Sequence, residues 1–204
     1  MLFDDQYIMI ESTAHGQFKD RGSRFLCYAI PVLTEKEVKV ELDALRKQYF
    51  DATHHCYAYV LGPDKSAFRI NDDGEPSGTA GRPIYGQILS ADITNILVVV
   101  IRYYGGTKLG VPGLINAYKT AAKEAISNSQ KKVCIVKEVY QIDYEYLLMN
   151  EVMKIVKEEA VDILSTEFGM KCVIQIAVRK LHSDKVCTRL KRLSGLEINY
   201  LRTI

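Results

Sequence analysis

Ile96-Leu97-Val98-Val99-Val100-Ile101 is an unbroken run of six aliphatic residues. It is far shorter than the roughly 20 residues that a membrane-spanning helix needs. A strand without a polar side chain has to be covered on both faces, so the run predicts a buried strand inside an α/β unit. The run leads directly into Arg102-Tyr103-Tyr104-Gly105-Gly106-Thr107-Lys108-Leu109-Gly110-Val111-Pro112-Gly113. The glycines let the backbone turn tightly, and Pro112 opens a helix reaching about Ser127. Upstream, Tyr7 to Glu11 and Arg24 to Ile30 read as strands, and Thr34 with Glu37 forms a capping box for a helix carrying Val38, Leu42 and Leu45. His55 to Leu61 reads as a strand, Ala67 to Ile70 as its hairpin partner, and Ile84 to Ala91 as a further helix. Helices packed on a mixed sheet are expected for this half.

The remainder has a different rhythm. Val139 to Tyr146 alternates as a strand, then Leu148, Val152, Ile155 and Val156 recur at helical spacing. Val161 to Thr166 and Lys171 to Val178 form a hairpin around Phe168-Gly169. Ser183 can cap a helix ending before Gly195, and Leu196 to Leu201 supplies a last strand. The order β-α-β-β-α-β is ferredoxin-like. The polar stretch Ser129 to Lys132 marks the boundary, giving domains over 1–132 and 137–204.

Acids and bases nearly balance, with a formal net charge of +2. That excludes a strongly basic nucleic-acid protein and leaves only a local patch for a polyanion. The five cysteines contain no C-x-x-C pair, so neither a disulfide framework nor a zinc knuckle is indicated. The first residues, Met-Leu-Phe-Asp-Asp, carry no basic n-region, and the expected location is the cytoplasm, away from membranes.

Four places can carry chemistry. The segment Arg102 to Gly113 has the layout of an anion site: a buried strand ends, Gly105 and Gly106 turn the chain, and free N–H groups of a helix meet the cations Arg102 and Lys108. Its spacing is not that of a P-loop, and Arg102 can equally pair with a structural carboxylate. The loop Asn71-Asp72-Asp73-Gly74-Glu75-Pro76-Ser77-Gly78-Thr79-Ala80-Gly81-Arg82-Pro83 crowds Asp72, Asp73 and Glu75 beside Ser77 and Thr79. Such a loop could hold a hard cation or a general base, yet these are also turn residues, and Ser77 or Thr79 can simply cap the next helix. His54, His55 and Cys56 suggest a nucleophile or metal ligand. In a strand, however, His54 and Cys56 share one face and His55 takes the other. Lys185, Arg189 and Arg192 line one face of the last helix, either on RNA phosphates or as an ordinary solvated stripe.

The runs Asp72 to Pro83 and Val100 to Gly110 resemble the two signature blocks of the YigZ/IMPACT family, with support from Ser23-Arg24-Phe25 and His54-His55-Cys56-Tyr57-Ala58-Tyr59. The resemblance implies an α+β protein of two domains. The first is a two-layer sandwich like the second domain of ribosomal protein S5, and the second is a ferredoxin-like domain similar to the last domain of elongation factor G. Eukaryotic IMPACT members restrain a stress-activated kinase that acts on translation initiation, and they carry an extra N-terminal RWD domain. Without a match to that extra domain, the chain is expected to resemble the bacterial YigZ form.

Two functions are therefore expected to compete. One is a non-enzymatic, translation-linked protein that binds RNA, ribosome or a translation factor through a polar cleft between the signature loops, with Arg82, Arg102, Lys108, Lys185, Arg189 and Arg192 as its cations. The other is an enzyme acting on a small anionic or phosphorylated substrate, with Asp73 or Glu75 as base. Neither needs a cofactor or a resident metal, and no DNA specificity is expected.

Overall fold

The computed structural model describes residues 5–169 and 171–204. The chain forms two compact units: Ile8–Cys134, and Ile135–Ile204 joined by the N-terminal segment ending at Tyr7.

In the first unit a five-stranded sheet has the order β2-β3-β6-β4-β5, formed by β2 (Ala14–Asp20), β3 (Ser23–Pro31), β4 (His54–Leu61), β5 (Ala67–Asn71) and β6 (Ile96–Tyr103). The aliphatic run lies in its central strand, and Ile96 through Ile101 are fully buried. Every pairing is antiparallel, which corrects the expectation of a mixed sheet. Alternation divides the core. Val98 and Val100 of β6 pack with Phe25, Cys56 and the helices α2 (Gly81–Ser90) and α3 (Gly110–Ser127). Leu97, Val99 and Ile101 point the other way, onto Val38, Leu42 and Leu45 of α1 (Glu35–Gln48). Helix α1 thus adds a layer to the two implied by the resemblance.

The capping box of α1 forms: Glu37 N donates to Thr34 Oγ1 at 3.2 Å, and Leu33 N donates to Glu37 Oε2 at 2.8 Å. Strand β2 had no sequence counterpart. It joins β3 through Arg21 and Gly22, both at positive φ, as a two-residue hairpin requires. The polar stretch read as a boundary is instead partly strand: β7 (Lys131–Ile135) pairs with β1 (Gln6–Ile10).

In the second unit β8 (Lys137–Glu145), α4 (Met149–Glu158), β9 (Asp162–Glu167), β10 (Lys171–Arg179), α5 (Ser183–Lys191) and β11 (Leu196–Thr203) succeed one another. Their sheet has the order β11-β8-β10-β9, the ferredoxin-like arrangement, and its pairings are antiparallel. Ile142, Ile174 and Ile176 face Val152, Ile155, Val186 and Leu190 of the two helices. Ser183 opens α5 without a capping bond, contrary to the expected N-cap. No helix among the described residues is long and apolar enough to cross a membrane.

Candidate functional site

Register builds the site. Arg102, near the end of β6, lies between Phe25 of β3 and His54 of β4, on the sheet face that carries α2 and α3. Its guanidinium is buried and must find a counter-charge. Glu75, also buried, supplies it: Arg102 Nη1 donates to Glu75 Oε1 at 2.5 Å, and Tyr118 of α3 donates its hydroxyl to the same oxygen at 2.8 Å. Arg102 also lies 5.4 Å from the ring centres of both Phe25 and Tyr104. The thiol of Cys56 donates to Tyr118 Oη at 3.3 Å and to Asp72 O at 3.0 Å. Burial pushes this thiol well above the ordinary cysteine range, so it is a poor nucleophile.

The acidic loop is held by its own carboxylates. Asp72 accepts from the N–H groups of Gly78, Ala80 and Gly81 at 2.8, 3.0 and 2.8 Å. Burial alone would raise its pKa, but these three donors outweigh it and hold the carboxyl below its usual value. Asp72 is thus the cap of α2, the role expected for Ser77 or Thr79. Thr79 instead donates to Pro76 O at 2.7 Å, and Ser77 is exposed. Asp73 accepts from His55 N at 2.6 Å and faces Arg46 at 3.8 Å. Among the described residues no group of three His, Cys, Asp or Glu is arranged to hold a metal ion.

The second loop is fixed against the β2–β3 turn. Gly105 N donates to Ser23 Oγ at 3.1 Å, and a Cβ on Gly105 would lie only 2.0 Å from Gly22 C. Beyond it, Lys108 is exposed and has no ion-pair partner among the described residues. Helix α3 starts at Gly110, two residues before the expected Pro112, with Leu109 supplying no side-chain cap. A cavity of about 550 Å³ opens here, lined by Thr53, His54, Glu75, Pro76, Arg102, Tyr104, Lys108, Leu109, Gly110, Val111 and Leu114. Both sequence-selected loops contribute to it. The walls are mainly apolar rather than polar as anticipated, and Arg102, bound to Glu75, is a neutralised floor rather than a free cation.

The other selected residues lie elsewhere. Arg82 is exposed on the first turn of α2, where its charge helps lower the Asp72 pKa. In the second unit Lys185 and Arg189 bind Glu159 at 2.8 and 2.5 Å, Arg189 also binds Glu158 at 2.5 Å, and Arg192 is exposed at the end of α5. Tyr118, Thr53 and Leu114 escape the sequence reading, and Ser23 enters it only through the Ser23-Arg24-Phe25 resemblance. Of the first three, only Tyr118 leaves a trace, as an aromatic among the alanines of the α3 stripe.

Comparison with known proteins agrees with this architecture. YvyE of Bacillus subtilis (strain 168), an IMPACT family member, is 38% identical over 122 residues, which cover 60% of this chain and 56% of YvyE. The IMPACT family member YigZ of Escherichia coli (strain K12) is 36% identical over 131 residues, covering 62% of this chain and 64% of YigZ. The matched region thus spans less than two thirds of each of these relatives. A crystal structure described as that of a hypothetical protein aligns over 98% of this chain and 99% of its own, with a TM-score of 0.76 at 25% identity. The Impact N-terminal domain matches residues 21–126, more than half of the 204 residues and the whole of the cavity wall, and the chain belongs to the YigZ/IMPACT family.

Proposed function

We propose that this chain is a non-enzymatic cytoplasmic binding protein tied to the regulation of translation, engaging RNA, the ribosome or a translation factor at the Lys108 cleft. The translation link comes from the family. The observation that carries the site is that Glu75 and Pro76 of one signature loop and Arg102, Tyr104 and Lys108 of the other line one cavity. Binding is favoured over catalysis because Glu75 is committed as the counter-ion of the buried Arg102 and as the acceptor for Tyr118.

Sedimentation through sucrose at low salt tests this. Wild-type protein is expected in the ribosomal or initiation-factor fractions, and Lys108→Glu, an exposed change that leaves the core intact, at the top of the gradient. Wild-type protein confined to the top, or a Lys108→Glu profile identical to wild type, overturns the proposal.

A further inference from the structure

The cavity offers three unlike surfaces in one space, and each asks for a different chemical group. His54 Nδ1 lies 2.7 Å from Asp73 O. A carbonyl oxygen only accepts, so Nδ1 carries the proton and, in the neutral ring, Nε2 is a bare acceptor on the cavity wall. Its protein neighbour is Glu75 Oε1 at 3.9 Å, an acceptor already taken by Arg102 and Tyr118, so Nε2 meets no donor there and has room for an outside N–H or O–H. Around it Pro76, Leu109, Val111, Leu114 and Tyr104 form an apolar wall, and Val111 and Tyr104 remain 52% and 47% exposed, leaving apolar surface for a ligand to cover. At the rim stand Lys108 and the uncapped start of the 18-residue helix α3, whose first N–H groups and dipole favour a negative charge.

We propose that the cleft captures the C-terminal residue of a protein chain: an apolar side chain against the wall, the last peptide N–H on His54 Nε2, and the free carboxylate on Lys108 and the α3 N-terminus. This rests on the cleft being the binding site and names what it binds. Charge complementarity selects the occupant. Glu75 cancels Arg102, which leaves Lys108 as the one unpaired cation among the described residues of the lining, enough for one carboxylate. A nucleic-acid strand, with a phosphate at every step, gains little from a single cation. Capture of a terminal carboxylate by backbone N–H groups is an established recognition mode.

Fluorescence anisotropy with a labelled hexapeptide ending in leucine tests the inference first through changes to the ligand, and then through Lys108→Ala, a change at an exposed side chain. The free acid is expected to bind about tenfold or more tightly than the C-terminal amide, as one lost charge-assisted hydrogen bond implies. N-methylation of the last peptide bond should weaken binding by a similar factor, and Lys108→Ala should erase the preference for acid over amide. Amide shifts of residues 108–114, the imino Pro112 apart, in a ¹⁵N spectrum would place the peptide. Equal affinity for acid and amide overturns the inference while leaving the cleft in place. Binding of an oligouridylate, but of no peptide, in a manner lost in Lys108→Ala, replaces it with RNA at the same cleft. Peptide binding that leaves the residue 108–114 amides unmoved overturns both the inference and the cleft reading.

Discussion

A guanidinium and a carboxylate buried together lose most of their hydration, and their attraction repays it only while both are present. Arg102 and Glu75 are 5% and 9% exposed, so each is committed to the other, and Tyr118 adds a donor to the same carboxylate oxygen. Glu75→Gln keeps the shape and an acceptor for Tyr118 but strands the guanidinium. It should cost about 3–5 kcal/mol, the usual penalty for breaking one side of a buried pair. Lys108→Ala, on an exposed side chain without an ion pair among the described residues, should stay within about 0.5 kcal/mol of wild type. Urea titrations followed by circular dichroism check both. A Glu75→Gln protein as stable as wild type would remove the pair from the foundation of the site. The sequence places Arg102 and Glu75 within two quotable motifs and offers Asp73 or Glu75 as an internal partner for the guanidinium, yet cannot choose between them, because the pairing depends on β6 register and on where the acidic loop returns across the sheet.

Helix α2 illustrates the same limit one level up. Its apolar spacing is plain in the sequence, but its start is set from a distance: Ala80, at the N-cap position, makes no side-chain bond, and Asp72, eight and nine residues earlier than its partners Ala80 and Gly81, supplies the acceptor. Asp72→Ala exposes three donors at once, so a loss of about 1–3 kcal/mol is expected, with faster hydrogen exchange confined to the first turn of α2 and residues 72–80. Unchanged exchange at Gly78, Ala80 and Gly81 would show that water or another group caps the helix equally well. Strand β2 was illegible for a related reason. Ala14-His15-Gly16-Gln17-Phe18-Lys19-Asp20 has a single large apolar residue, and what holds its edge comes from α3: Gln17 N donates to Glu124 Oε2 at 2.8 Å and Asn128 Nδ2 donates to His15 O at 2.8 Å. Gly16 is required there, since a Cβ would lie 2.4 Å from Ala125 N. By contrast α1, α4, β8 and β10 were readable because their periodicity and caps are local.

For the whole molecule the decisive residue lies at the beginning of the chain. The sequence boundary assigned residues 1–132 to one domain, whereas the segment ending at Tyr7 clusters with Ile135–Ile204. Asp5 holds it there. Its carboxylate, almost fully buried, accepts from Arg179 Nε at 2.5 Å and Nη2 at 3.2 Å, and its carbonyl accepts from Val136 N at 2.8 Å. The hydrogen bond from Arg179, aided by its charge and opposed by burial, draws the Asp5 pKa below the usual 3.8. A carboxylate whose folded pKa is depressed stabilises the fold above its unfolded pKa and loses that contribution as pH falls through the folded value. Asp5→Ala should therefore speed amide exchange in β8 and β10 at neutral pH by about tenfold, matching a loss of about 1–2 kcal/mol, while β4 and β6 exchange as in wild type. The difference between variant and wild type should hold from neutral pH down to about 4 and shrink below 3.8 as wild-type Asp5 itself becomes protonated. Because the chain contains no tryptophan, exchange resolved by peptide is a better readout than intrinsic fluorescence. Equal acceleration in β6 and β8 would mean that the two units open as one, and the separate-domain picture drawn from the sequence would then fail.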